Sequence, residues 1–173
     1  MPNYLRLFFS LILWSLLLPV SAQMQLLFDE DFSDISLGWR QDTTPRSYKS
    51  FLPFYFNSKS AYQIEAEIQF LKRGSGCGII WGARSRNTFL ALTLRDEGVV
   101  VGQLLKGKGR TLVRKKAQIE GEDHTVLIRR IGQRIKVLID GTEYLDFPSP
   151  GNLGKGIGMY ATKGSEMKVK SLK

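Results

Sequence analysis

Two carboxylates have the spacing of a possible catalytic pair. Glu65 and Glu67 are separated by one alanine in an alternating segment, so on a strand both side chains point the same way, roughly 7 Å apart. Retaining cleavage of a glycosidic bond needs two carboxyl groups about 5 Å apart. The alternative interpretation is a pair of solvent-facing acids opposite basic residues of neighbouring strands, such as Arg129 or Lys136. If the protein is an enzyme, we expect Glu65 and Glu67 to act.

No other catalytic arrangement stands out. His124 is the only histidine and begins a strand, which indicates a hairpin-end residue rather than a general base. Cys77 lies in an apolar strand, where a buried thiol is expected rather than a nucleophile, and as the only cysteine it has no intramolecular disulfide partner. The glycines at positions 74, 76 and 78 lead into a strand and not a helix, so they do not form a phosphate loop.

A metal site is suggested only near the start of the chain. Asp29 and Asp31 share one face of a predicted strand, and carboxylate oxygens are the ligands that calcium prefers. An acidic strand end that caps a turn explains the same residues. No cofactor is expected apart from this possible structural calcium.

Two basic surfaces are candidates for ligand binding. One candidate ligand-binding set combines the turn at residues 84–87 with the strand that carries the two acids and the cations expected on its neighbouring strands. Its members are Arg84, Arg86, Asn87, Glu65, Glu67, Arg129 and Lys136. A hairpin rich in cations forms a candidate polyanion patch: Lys106, Lys108, Arg110, Arg114, Lys115 and Lys116. The alternative for the hairpin is a solvated edge protected from aggregation by its charges.

The segments that position these residues have strand periodicity. Residues 62–70 alternate apolar and polar, and residues 77–95 predict a hairpin with a polar turn. Further hairpins are predicted over residues 98–115 and 125–139, and Asp140-Gly141 is a strong turn signal. No segment has sustained helical periodicity. About a dozen short strands with glycine turns predict an all-β sandwich.

The segment before residue 62 is less regular. Residues 40–50 are polar and contain a proline, which predicts a connecting loop. Residues 51–56 are apolar and aromatic but contain Pro53, which predicts an edge strand or an irregular one.

The first 22 residues have the features of a secretory signal peptide. Arg6 precedes an apolar run that ends in small residues at positions 20–22, so cleavage there would leave residues 23–173 as one domain, exported to the periplasm or beyond, with no transmembrane anchor. The chain carries a net charge of +9, of which Arg6 supplies one unit. A basic exported protein favours acidic glycans or envelope polymers as partners and makes nucleic acid an improbable one.

Several motifs occur in an order that resembles a known superfamily. They are D-E-D-F followed by G-W at residues 29–39, Y-Q-I-E-A-E-I at 62–68, G-C-G-I-I-W-G at 76–82, I-K-V-L-I-D-G at 135–141 and G-K-G-I-G-M-Y-A at 154–161. The sequence resembles the concanavalin A-like lectin/glucanase superfamily, and within it laminin-G-like and related bacterial extracellular modules. The resemblance implies a jelly-roll sandwich of two antiparallel sheets whose concave sheet or rim loops bind glycans or proteins.

The resemblance is incomplete where catalysis would occur. Glucanases of this superfamily carry the acid pattern E-x-D-x-x-E, whereas here Glu65 and Glu67 are followed by Phe70 in place of the third acid. The sequence therefore favours a non-catalytic binding module for carbohydrate or another extracellular ligand. A periplasmic enzyme that acts on glycosides and an envelope protein-interaction module are the alternatives.

Overall fold

The computed structural model describes residues 40–44, 47–52, 61–72, 74–151 and 153–173. These residues form strands connected by short turns, without a helix. The strands are β1 (Arg40–Thr44), β2 (Ser47–Leu52), β3 (Tyr62–Lys72), β4 (Cys77–Ser85), β5 (Thr88–Arg95), β6 (Gly98–Leu105), β7 (Lys108–Lys116), β8 (Asp123–Ile131), β9 (Arg134–Ile139), β10 (Thr142–Pro148), β11 (Gly156–Thr162) and β12 (Glu166–Leu172).

The strands form two antiparallel sheets that pack face to face. One sheet has seven strands in the order β1-β2-β11-β4-β5-β6-β7, and the other has five in the order β10-β9-β8-β3-β12. The chain crosses between sheets after β2, β3, β7, β10 and β11, and its other consecutive strands are neighbours within one sheet. The prediction of an all-β jelly-roll sandwich is confirmed.

The core lies between the sheets and follows the alternation in the sequence. In β3 the side chains of Ile64, Ala66, Ile68 and Phe70 are buried, as the periodicity of residues 62–70 predicts. In β4 the buried core residues are Cys77, Ile79 and Trp81, and the indole Nε1 donates a hydrogen bond to Tyr62 Oη at 3.1 Å. The buried-thiol interpretation of Cys77 is therefore confirmed.

Tight turns fix the register of the hairpins. Asp140 and Gly141 have φ values of 50° and 78°, which are left-handed at both positions, as an Asp-Gly type I′ turn requires. Lys106 and Gly107 have the same arrangement, with φ values of 49° and 83°. The predicted turn at Asp140-Gly141 is thus confirmed.

The glycines that precede β4 allow two connections between the sheets to lie close together. A Cβ at Gly74 would lie 2.5 Å from the carbonyl oxygen of Gly164, so only glycine allows these two crossover turns to approach. Ser165 Oγ accepts a hydrogen bond from Gly76 N at 3.0 Å, and Thr162 Oγ1 donates one to Gly76 O at 2.7 Å. These contacts join the β3–β4 and β11–β12 connections.

The segment before β3 corrects the sequence-based interpretation. The loop predicted for residues 40–50 is wrong, because β1 and the beginning of β2 pair there as an antiparallel hairpin. Strand β2 also pairs with β11, so it lies inside the seven-stranded sheet instead of at its edge. Proposed strand residues 53–56, the predicted signal peptide and the candidate ligands Asp29 and Asp31 lie outside the described residues. Among those that are described, no helix has the length and apolar character needed to cross a membrane.

Candidate functional site

The outer face of the seven-stranded sheet has an unusual composition. Five consecutive strands of this sheet, β11, β4, β5, β6 and β7, contain no aspartate or glutamate, although they carry several lysines and arginines. Register places these side chains at outward positions: Gly158, Tyr160, Gly78, Ile80, Phe89, Ala91, Thr93, Arg95, Gly98, Val100, Arg114 and Lys116. This face therefore combines small, aromatic and cationic side chains without a carboxylate on those strands.

A hydroxyl pair occupies the middle of this face. Tyr160 on β11 and Thr93 on β5 both pair with Gly78, one from each side, and their side-chain oxygens share a hydrogen bond across the glycine. Burial raises the pKa of Tyr160 to about 12, while the Thr93 hydrogen bond and the nearby positive charge of Arg95 act in the opposite direction. The phenol is therefore a neutral hydrogen-bonding group at physiological pH.

Apolar side chains continue the face toward the β4–β5 turn. Ile80 is 0% exposed and Phe89 is 7% exposed, yet neither belongs to the core between the sheets. The ammonium group of Lys49 lies 5.5 Å from the centre of the Phe89 ring, a cation–π distance. Ile80 and Phe89 are thus buried on the outer side of this sheet, apart from the core between the sheets.

A cationic groove lies at the opposite end of β5, β6 and β7. We use this name for the depression whose outward-facing strand residues are Arg95, Gly98, Val100, Arg114 and Lys116; Lys115 also contributes to its lining. Arg95 and Lys116 pair with Gly98 from either side, and Arg114 pairs with Val100 in the next row. The arginines and the lysine are exposed, and none forms an ion pair with another described residue. Glu97, in the β5–β6 turn, is the acid that also contributes to the lining.

The candidate acids lie on the other sheet. Glu65 and Glu67 are on the outer face of the five-stranded sheet, where their cross-strand neighbours on β8 are Leu127 and Thr125. Arg129 binds Gln63 Oε1 through Nε at 3.0 Å and Nη2 at 2.9 Å. The expectation that Arg129 or Lys136 pairs with the two acids is therefore wrong.

Lys136 has its own acidic partners on β10. Its Nζ lies 2.8 Å from Glu143 Oε2 and 3.8 Å from Asp146 Oδ2. The hydrogen bond and the charge of Glu143 raise the pKa of Lys136. Lys136 is thus satisfied locally, and the structure does not connect it to Glu65 or Glu67.

The predicted polyanion patch divides into two parts. Lys106 and Lys108 lie at the β6–β7 turn, whereas Arg114, Lys115 and Lys116 lie at the far end of β7. Arg114 and Lys116 point outward, but Lys115 points the other way, with its Nζ 5.1 Å from the centre of the Tyr144 ring. Arg110 donates to Gln103 Oε1 at 2.9 Å. The sequence cluster is therefore not one surface.

The turn that carries Arg84, Arg86 and Asn87 lies beside the lysine turn. Gly107 N donates to Asn87 O at 2.9 Å, and Lys106 N donates to Thr88 Oγ1 at 3.2 Å. These contacts bring two predicted binding sets, from the β4–β5 and β6–β7 turns, to the same end of the seven-stranded sheet. All three predicted turn residues are exposed.

The lone histidine lies inside the sandwich. His124 is 4% exposed, with Nδ1 2.7 Å from Asp140 Oδ2 and Nε2 3.2 Å from Gly121 O. Asp140 Oδ1 also accepts a hydrogen bond from Thr125 N at 2.8 Å, so the carboxylate ties the turn to the start of β8. Within the residues that the structure describes, no group of three or more potential metal ligands occurs.

Comparison with solved structures identifies the fold. The carbohydrate binding module CBM66 from Bacillus subtilis has a TM-score of 0.58 at 12% identity, over 77% of this chain and 92% of that one. Galectin LEC-6 of Caenorhabditis elegans has a TM-score of 0.56 at 16% identity, covering 78% and 93%. A GH16 protein of a mixed linkage glucan PUL from Bacteroides ovatus has a TM-score of 0.61 at 11% identity, covering 86% and 99%. No family model matches the sequence.

These similarities show that the chain has the same two-sheet sandwich fold as these proteins, the fold expected from the resemblance of its sequence motifs. At such low identities the likeness concerns the backbone arrangement, and function depends on the side chains that each protein places on it.

The sequence alone did not single out Arg95 or the Tyr160–Thr93 pair. Arg95 ends its strand and does not belong to any run of charges, so composition alone does not reveal it. The signal that could have found it is the short Asp96-Glu97 turn, because a two-residue turn pairs Arg95 with Gly98 and leads to Lys116 on the next strand.

Proposed function

We propose that this protein is a non-catalytic carbohydrate-binding module that binds its ligand on the outer face of the seven-stranded sheet. The observation that carries the proposal is the lack of any aspartate or glutamate on β11, β4, β5, β6 and β7. Glycoside hydrolysis by the usual mechanism needs two carboxyl groups beside the bond. Exposed cations beside small and half-buried apolar residues, in contrast, suit sugar binding without cleavage.

Proteins with similar folds support this assignment. One is described as a carbohydrate binding module and another as a galectin. A third is a GH16 protein in complex with a product, which favours a glycoside-acting enzyme as the second candidate. In this chain such an enzyme would depend on Glu65 and Glu67, which lie on the other sheet.

Binding and hydrolysis can be tested together. The purified protein is titrated with a panel of neutral and acidic polysaccharides, and released reducing sugar is measured in the same samples. We expect saturable binding without product. Product that disappears in Glu65→Gln or Glu67→Gln would establish the enzyme instead. If no polysaccharide binds and one protein partner co-purifies, a protein-interaction module would be favoured.

Export belongs to the same proposal. The charged and apolar pattern of residues 1–22 supports secretion with cleavage after Ala22. Expression with this segment intact should deliver a protein that begins at Gln23 to the periplasm or medium, as N-terminal sequencing would show. Retention of the uncleaved chain in the membrane fraction would contradict this.

A further inference from the structure

We infer that the cationic groove is a subsite for the anionic groups of an acidic glycan, so that the ligand is a polysaccharide carrying carboxylate or sulfate groups. This inference rests on the proposed carbohydrate-binding function and specifies its ligand class. Arg95, Arg114 and Lys116 supply the recognition, and Gly98 and Val100 form the surface between them.

Strand register brings the three cations together from distant positions. Arg95 and Lys116 flank Gly98 in one row, so their Cα atoms lie about 10 Å apart across two strand spacings. Arg114 is two residues from Lys116 on the same side of β7, roughly 7 Å away. The three side chains therefore surround one patch of sheet.

Glycine keeps the centre of this patch free of a side chain. Gly98 has a φ of 138°, and a Cβ there would lie 2.1 Å from the carbonyl oxygen of Lys115. No side chain can therefore be placed between Arg95 and Lys116 without moving the backbone. An incoming anionic group can approach the backbone at this point and reach both cations.

The three cations of the groove form no ion pair with the part of the chain that is described, and Glu97 is the acid at the rim. Guanidinium groups bind carboxylates and sulfates through two parallel hydrogen bonds, and an ammonium adds a point charge. Exposed cations that lack an acidic partner among the described residues can bind such a ligand.

The neighbouring part of the face favours a sugar as the carrier of the anion. Arg95 is close enough to Tyr160 for its charge to influence the phenol, and Thr93 lies between them in register. Thr93 is 6% exposed and the Tyr160 phenol is buried, so the apolar surface that a ligand can contact beside the cations is the half-exposed side chain of Val100. A sugar ring that carries an acidic substituent matches one apolar contact next to three charged ones.

The experiment compares two variants that each remove three positive charges from the seven-stranded sheet or its turns. The groove variant is Arg95→Gln, Arg114→Gln and Lys116→Gln, and the control is Lys106→Gln, Lys108→Gln and Arg110→Gln at the other end of β6 and β7. Both are checked for an unchanged thermal midpoint. Binding is measured to polygalacturonate, dextran sulfate, neutral dextran and duplex DNA at low and moderate salt.

We expect the wild-type and control proteins to bind polygalacturonate or dextran sulfate in a salt-sensitive manner. The groove variant should bind at least about tenfold more weakly, as the loss of three exposed charge contacts implies. The two acidic polymers distinguish a carboxylate from a sulfate ligand.

Four outcomes would overturn the inference. Equal affinity for neutral dextran, or an unaffected groove variant, would leave carbohydrate binding in place but remove the acidic ligand class. Comparable binding of DNA, lost in the same variant, would indicate a general polyanion site. Absence of binding to any glycan in a wider neutral and acidic panel would refute the proposed function itself.

Discussion

On the outer face of the five-stranded sheet, most cations have partners on the same face, whereas those of the cationic groove form no ion pair with any described residue. Arg134 lies 2.8 Å from Asp146, Lys136 lies 2.8 Å from Glu143, and Arg129 is held by Gln63. The five acid-free strands of the other sheet leave Arg95, Arg114 and Lys116 without such partners among the described residues. The same fold therefore presents one self-neutralised face and one that can attract an anion.

This difference shows what each surface is suited to do. Exposed ion pairs contribute only about 0.2 to 1 kcal/mol each to the free energy of unfolding, so the paired face gains little stability. The ion pairs do lower the net charge of this face, and with it the attraction for charged ligands. Binding is expected where the charges lack internal partners.

The largest expected effect concerns the buried tyrosines at alkaline pH. Burial raises the pKa values of Tyr62 and Tyr160 to about 12, above the ordinary value of 10.0. The neutral phenol is favoured in the folded state, so this contribution is complete below pH 10 and is lost as pH rises from 10 to 12. Each tyrosine should account for about 2 to 3 kcal/mol of that loss.

The predicted loss in the free energy of unfolding is tested by denaturant unfolding at pH 8 and pH 12. The variants are Tyr160→Phe, on the outer face of the seven-stranded sheet, and Tyr62→Phe, beside Trp81. Each variant should lose less stability than the wild type between the two pH values. An identical loss in Tyr160→Phe would show that this face does not bury the phenol as described.

A smaller effect is expected where a hydrogen bond of the five-stranded sheet involves a buried partner, His124. Asp140→Gly should reduce the free energy of unfolding by about 1 to 3 kcal/mol, because His124 and the Thr125 amide lose their acceptor. Glycine accepts the left-handed φ of 50° at this position. The matched control is Lys106→Gly, at a φ of 49° in the equivalent turn of the other sheet, which measures the backbone contribution of glycine alone. Equal costs for the two variants would remove any special role for the carboxylate.

The smallest effect concerns the acid at the rim of the groove. Glu97→Gln should tighten binding of an acidic glycan about threefold, since it removes one repulsive charge from an exposed site. Glu143→Gln, on the paired face, should leave the affinity unchanged. Titration calorimetry with the same polymer would measure the affinity of both variants. Equal changes in affinity would show that the two faces do not differ in ligand binding.

Local patterns predicted most of the fold. Alternation in residues 62–70 and the Asp140-Gly141 turn depend on neighbours in sequence, and the structure confirms both. The hairpin in residues 40–52 could not be predicted in this way. Strand β2 is held on one side by β11, which lies more than a hundred residues further along the chain, and polar composition does not reveal such a partner.

The candidate site was less predictable than the fold. A run of cations in residues 106–116 suggests one surface, but alternate residues of a strand face opposite sides, and the hairpin separates its ends. Arg95 joins Arg114 and Lys116 only through the register of three strands. A site assembled across strands is visible only when that register is known.

The central claim is that the ligand binds the outer face of the seven-stranded sheet. Changes in backbone amide chemical shifts test this claim most directly. Uniformly 15N-labelled protein is titrated with an oligogalacturonate at low salt. We predict that the largest shift changes occur at residues 93–100 and 114–116, in β5, β6 and β7. Changes concentrated at residues 63–67, 127–129 and 136–138, on the paired face, would contradict the claim.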